Sequence, residues 1–343
     1  MTTDSFEPTL DFSKGPRQVA LELLSSGMLF RYLRAVTKRV GLAGEEAAAV
    51  AVFFIFLSRF RRTPLRVALE EQAPGGTKYF VKAICELIAP GTLCLAYSEA
   101  GWQRFKELPD HKIVMVSSWS ALGWSAQCNG DVFTRSTAAV QGDRIVKDER
   151  DAVRGRFVCV SSTVDYSDPT RGRWLRLKLP EPKTQSFPSS GLDEQSRAVW
   201  LETQDLVRQR AGIDILLPDW ADLFLAYAAR RELAFLNMPA FLEAWKTMAL
   251  LRSFQFDARW QRAKNAGFYV ADFGDLAYAG AVMRAFKEHA TFPSLQPVFE
   301  AIFKGNELSV VSPLTGKGRK YKFPSRSAPR RPFWEDLQAA GYI

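Results

Sequence analysis

Apolar positions recur at helical spacing from the outset. Between residues 17 and 40, Val19, Leu21, Leu24, Leu29, Leu33 and Val36 mark one face of a helical stretch, closed by Gly41 and Gly44. Residues 45–60 are apolar nearly all round, which predicts a helix buried on every side. Arg59, Arg61 and Arg62 at its end complement the helix dipole. The period then shortens. Apolar runs at 65–69, 94–97, 113–116, 157–161 and 174–179 read as strands, and the first is followed by a helix with Phe80, Val81, Ile84 and Leu87 on one side. Strands separated by helical connectors predict an α/β fold, a sheet wrapped by helices. The charged stretch 135–156 holds Gly142-Asp143, a hairpin turn signal.

Helical spacing returns after a Pro/Ser/Thr-rich segment at 180–191, which reads as a linker. Asp193 is placed to cap the next helix, and apolar faces follow at 220–233, 239–254 and 271–289, with breaks at Pro218, Pro239 and Gly267. The last segment predicts a helix at 295–303, two short strands around the turn Pro313-Leu314-Thr315-Gly316-Lys317-Gly318, and a helix at 333–340. The expected divisions are a loose arm (1–16), N-terminal helices (17–62), an α/β core (63–180), a linker (181–191), a helical domain (192–290) and a small basic domain (291–343).

Composition narrows the class. The 343 residues are 47% hydrophobic and 24% charged, enough core for a globular protein of two or three domains. The formal net charge is +9, which suits an acidic partner, nucleic acid first. Four cysteines (Cys85, Cys94, Cys128, Cys159) form no C-x-x-C pair and read as reduced thiols of a cytoplasmic protein. His111 and His289 are the only histidines, which argues against a His-based metal centre or an acyl-transfer triad. The longest apolar run, 47–57, is too short to span a membrane, and no signal peptide is visible.

Residues 63–119 carry the chemistry. A strand leads into a Gly-bearing loop (Gly75, Gly76, Thr77), then Lys78 and a helix, the layout of a phosphate-binding loop. Aligned on G-x-x-x-x-G-K-S/T, residues 72–79 match only at Lys78. Gln72 stands at the first Gly and Thr77 at the second. Tyr79 replaces the hydroxyl residue that holds magnesium, and a phenol is too long and rigid for that geometry. The strand at 113–116 is followed by Ser117 and Ser118, where phosphoryl transfer calls for an acidic residue.

In the order of these pieces the chain resembles the helicase-like ATPases found beside primases in phages and mobile elements, grouped with the AAA+ or superfamily-three helicases. The resemblance covers roughly residues 29–323. It rests on GLAGEE at 41–46, LSRFRRTPLRVAL at 57–69, KELPDHKIVMVSS with His111 and Lys112, VRGRFVCVSSTV, DPTRGRWLRLKL and LDEQSRAVW. It implies a P-loop NTPase-like core, a helical region and a winged-helix-like basic C-terminal domain. It implies too that Arg171, with Arg173 as understudy, matches the arginine presented to a neighbouring subunit.

The expected function is a catalytically degenerate ATPase that binds DNA, or an active partner, during replication or maintenance of a mobile element. No cofactor is expected, and Gly75, Gly76, Thr77 and Lys78 are a nucleotide-site remnant. Expected partners are DNA, a co-encoded active helicase or ATPase, or further copies of the chain, with no membrane. Nucleic-acid contact is assigned to the basic run Lys317, Arg319, Lys320, Lys322, Arg330 and Arg331, whose turn resembles the wing of a winged helix. Two alternatives stand beside this: an active ATPase using ATP and magnesium with a displaced carboxylate (Glu70, Glu71 or Asp131), and a non-enzymatic scaffold.

Overall fold

A computed structural model describes residues 10–42, 44–71, 76–96, 111–116, 128–129, 132–141, 144–154, 158–161, 174–179, 192–218, 221, 237–286, 307–311 and 318–322. Its centre is a five-stranded, all-parallel sheet built from β1 (Arg66–Glu70), β2 (Leu93–Ala96), β3 (Ile113–Val116), β7 (Val158–Ser161) and β8 (Trp174–Lys178). The strand order is β2-β3-β7-β1-β8. The first strand of the chain therefore lies inside the sheet, with the last strand on one side of it and the fourth on the other. Val67, Leu69, Ile113, Val114, Val158, Val160, Leu175 and Leu177 are all buried, as expected of parallel strands covered on both faces. The α/β class read from the sequence holds.

Two helices precede the sheet where one continuous helical stretch was read. α1 (Pro16–Ser26) ends at Gly27, whose φ of 73° is the left-handed conformation that glycine adopts without a Cβ penalty. α2 (Leu29–Arg39) restarts two residues later. The loose arm is shorter than read: Phe12–Lys14 form a 3-10 turn capped by Asp11, and Leu10 and Phe12 pack against the core.

α3 (Glu46–Leu57) buries nine of its twelve residues, as its all-round apolar sequence requires. It is enclosed by α2, β1 and α8 (Phe273–Met283). α4 (Gly76–Cys85) connects β1 to β2. α5 (Glu194–Arg210) lies along α1, joined to it by Arg17–Glu202 at 3.0 Å and Arg17–Gln209 at 3.1 Å. Its N-cap is Asp193, whose carboxylate accepts the Ser196 N–H at 2.7 Å, as the sequence predicted.

The region read as purely helical after residue 192 contains α6 (Met238–Arg252), α7 (Asp257–Ala266) and α8. It also contains an unforeseen parallel pair, β9 (Asp214–Leu216) with β10 (Phe268–Val270). Arg252 of α6 donates to Asp275 at 2.7 Å and to Asp272 at 3.2 Å, fixing the start of α8. One hydrophobic core runs through α1–α3, the sheet and α5–α8. The expected divisions at 62/63 and 180–192 thus separate segments that share a core.

Two antiparallel hairpins complete the described residues. β5 (Val132–Gln141) and β6 (Arg144–Arg154), extended by the short β4 (Cys128–Asn129), flank Gly142-Asp143 and lie between β3 and β7 in the chain. β11 (Glu307–Val311) pairs with β12 (Gly318–Lys322), and the residues read as a turn between them, apart from Gly318, which starts β12, lie outside the described residues. Residues 181–191, 295–303 and 333–340, for which a linker and two helices were read, lie outside the described residues. No helix among the described residues is long and apolar enough to cross a membrane.

Candidate functional site at the α4 N-terminus

The topology singles out one crevice. From β1 the chain crosses to the far edge of the sheet, at β2, and each later crossover steps back in the opposite direction through β3 and β7 to β8. Parallel crossovers are right-handed in about 98% of cases, so connections leaving in opposite directions lie on opposite faces. β1 and β7 are the neighbours whose connections diverge, and ligands of open α/β sheets bind beyond the carboxyl ends of such strands. Glu70 and Ser161 end these two strands, and α4 starts beside them.

The start of α4 is already occupied by the chain itself. Glu71, one residue past β1, places a carboxylate oxygen 3.0 Å from the Thr77 backbone nitrogen and accepts its N–H. A helix N-terminus exposes unsatisfied N–H groups and a positive dipole end, the features that hold a phosphate. Here a carboxylate satisfies one of them. Gly76 faces the same group: a Cβ built on it meets Glu71 Cβ at 3.7 Å and Oε2 at 3.9 Å, so the position accepts a side chain. The Thr77 hydroxyl turns inward and donates to the Leu69 carbonyl at 3.3 Å, tying α4 to β1. Lys78 is exposed. Gly75 and the preceding loop residues lie outside the described residues.

Tyr79 occupies the position where a hydroxyl would hold magnesium, and its phenol points elsewhere. It donates to the Gly41 carbonyl at 2.9 Å, closing α4 onto the turn between α2 and α3. Burial, with Glu45 nearby, raises its pKa, so the hydroxyl stays protonated and acts as a donor. Ser161, at the end of β7, is buried. Ser117 and Asp131 lie outside the described residues, and no cluster of three or more potential metal ligands occurs among the described ones.

His111 and Lys112, both parts of the resemblance, fasten the opposite end of the sheet. The His111 ring is 2.8 Å from the Arg59 carbonyl, and Lys112 donates to the Gly91 carbonyl at 2.6 Å. His111 has a φ of 60°, unusual for a non-glycine residue. Arg59 is buried and donates to the Phe56 carbonyl at 2.8 Å and the Gln204 amide oxygen at 2.5 Å. Burial pushes its pKa down to about 9, so it remains a cation at neutral pH. At this end a cleft of about 270 Å³ is lined by Cys85, Glu86, Leu93 and Arg197, with Glu86 and Arg197 paired at 2.5 Å. Burial raises the Cys85 thiol to about 12, which leaves it protonated and unreactive. This cleft is remote from the α4 N-terminus, because it borders the start of β2 and the end of α4.

The remaining sequence-derived positions fall on the hairpins or outside the description. Arg171 and Arg173 lie outside it, immediately before β8, as do Lys317, Arg330 and Arg331. Arg319, Lys320 and Lys322 are on β12, where the ladder sets them opposite Val310, Ser309 and Glu307. On the longer hairpin the register shifts at Ser136/Thr137, which leaves Glu149 without a ladder partner.

The chain matches no protein-family model and no curated protein.

Proposed function

We propose that this chain is a catalytically degenerate, P-loop-ATPase-like protein that binds nucleic acid, on its own or beside an active ATPase partner, without turning over nucleotide itself. The observation that carries the reading is the Glu71 carboxylate on the Thr77 N–H at the start of α4. A polyphosphate seated there would have to displace an anion tethered a few residues away. Two further features support it. Lys78 follows β1 at the start of the crossover helix, beside the crevice the topology defines. Tyr79 is committed to Gly41, so the metal-holding hydroxyl of an active site has no counterpart.

Phosphoryl transfer depends on positioning, metal and cationic charge. With the helix end filled by Glu71 and the hydroxyl position by Tyr79, the site keeps its framework and loses its means of stabilising the transferring phosphoryl group. Glu71, one of the residues weighed as a displaced metal-supporting carboxylate, acts in this reading as a helix cap. The nucleic-acid part rests on the +9 net charge and on the basic residues of β12, Arg319, Lys320 and Lys322. The pair β11–β12 is read as the wing of a small winged-helix-like domain, with Lys320 and Lys322 along a phosphate backbone. The resemblance to helicase-like proteins of mobile elements supplies the setting, replication or maintenance of such an element.

The deciding experiment measures magnesium-dependent ATP turnover and binding of a fluorescent ATP analogue by the purified full chain, beside Lys78→Ala, together with binding to single- and double-stranded DNA. Turnover no higher than in Lys78→Ala, with salt-dependent DNA binding, is expected. Robust turnover abolished by Lys78→Ala overturns the degenerate reading, and absence of DNA binding overturns the nucleic-acid reading.

A further inference from the structure

Several cations of the helical layers are held in ion pairs. Lys14 meets Glu22, Arg17 meets Glu202, Arg197 meets Glu86, Arg208 meets Asp205 and Arg210 meets Asp257. α2 carries a row of three that are not. Its sequence, LFRYLRAVTKR, contains no acidic residue. Leu29, Tyr32, Leu33, Val36 and Thr37 are buried, and Arg31, Arg34 and Lys38 are exposed. None of the three takes part in an ion pair with a described residue; Arg31 has only a 4.0 Å contact to the Met28 sulfur. Arg39, at the end of the helix, is set apart because its charge helps lower the pKa of Asp193.

We infer that the solvent face of α2 is a nucleic-acid backbone contact formed by Arg31, Arg34 and Lys38. The inference rests on the nucleic-acid reading above and adds a surface outside both hairpins. At 100° per residue the three side chains leave the helix within an arc of about 60°, and a rise of 1.5 Å per residue spreads them over about 10 Å. A strand of duplex DNA rises 3.4 Å along its axis per phosphate, so a stripe laid along that axis spans about three phosphates. The buried apolar face fixes the rotation of the helix about its own axis, so the stripe is presented without further ordering of the backbone.

Other polyanions fit less well. A membrane-surface helix inserts its apolar face, and that of α2 is sealed against the protein core. A protein interface is anchored by exposed aromatic or apolar side chains at its centre, and the stripe has none. A uniform row of cations matches a uniform row of phosphates.

The test is a salt titration of DNA binding by the full chain, read by fluorescence anisotropy, with the triple variant Arg31→Gln/Arg34→Gln/Lys38→Gln. Each phosphate contact contributes about 0.9 to the slope of log K against log salt for duplex and about 0.7 for single strands. The triple variant is expected to lose about 2–3 units of slope, to bind every sequence more weakly to a similar extent, and to melt like the parent. Arg31→Lys/Arg34→Lys is expected to keep the parental slope, which separates charge from arginine-specific packing. Should the triple variant fail to fold, the single variants report the same quantity, each losing about 0.7–0.9. An unchanged slope in a parent that binds DNA overturns the α2 contact and leaves the functional reading standing, whereas a parent that binds no DNA overturns both. Vesicles containing phosphatidylserine serve as a control. Loss of vesicle binding in the triple variant with an intact DNA slope assigns the stripe to membranes and overturns the inference.

Discussion

The contact between Glu71 and Thr77 can be removed cleanly with Glu71→Ala. Glu71 is exposed, so its charge is partly screened and the substitution leaves no cavity. What disappears is one hydrogen bond to an orphan helix N–H and one carboxylate at the positive end of α4. Replacing a helix-capping group by Ala costs about 0.5–2 kcal/mol, and a charge at a helix end contributes about 0.3–1 kcal/mol. Because the two describe the same group and solvent screens it, the expected loss is about 1 kcal/mol. In a chain of this size that lowers the melting temperature by about 2 °C or less.

The informative measurement is the response to added anion. In the variant the first N–H groups of α4 are open, and sulfate at ten times its dissociation constant restores about 1.4 kcal/mol. In the parent the same anion must first displace Glu71, so the response is expected to be smaller. Thermal melts of both proteins in chloride and in sulfate at matched ionic strength separate specific binding from general salting effects. Equal melting temperatures and equal sulfate responses would refute the reasoning, because Glu71 would then not be occupying the helix end in solution.

Three further outcomes can be measured. Tyr79→Phe removes the hydrogen bond to the Gly41 carbonyl and is expected to cost about 1 kcal/mol in urea denaturation, with DNA binding unchanged; an altered DNA affinity would show that the phenol does more than tie α4 to the α2–α3 turn. Hydrogen bonds from Ser196 hold the Asp193 pKa below its ordinary value, so its stabilising effect is present at neutral pH and is lost as pH falls through that lowered value. Asp193→Ala is therefore expected to cost about 1 kcal/mol at neutral pH and progressively less below about pH 4, and a cost that does not change with pH contradicts this assignment. Where a co-encoded active ATPase exists, Arg171→Ala is expected to lower turnover of the mixed complex, and unchanged turnover in an intact complex removes Arg171 from that role.

The strands of the sheet were legible because each is a short, dense apolar run. Residues 113–116 were read with the bounds observed, and Gly142-Asp143 marked its hairpin. The strand order was hidden, since it is set by pairings between distant segments such as Arg66 with Cys159. Gly27 passed unnoticed because apolar residues continue at helical spacing on both sides of it. The pair β9–β10 escaped notice because three residues per strand are too few to show alternation. At the site, the residues that replace a working phosphate loop were visible in the sequence, and what took their place was not. A carboxylate beside a glycine-bearing loop suggested a metal support; only the fold shows Glu71 capping α4.

Because α1 lies against α5, the order of synthesis matters. Arg17 finds its partners Glu202 and Gln209 only after another 185 and 192 residues have been added. At about 5–20 residues per second, that interval is roughly 10–40 s on the ribosome. Throughout it α3, a helix with no polar side, lacks α8 and must be shielded by α2 and β1 or by a chaperone. The α1–α3 layer is thus made well before the helices that complete it.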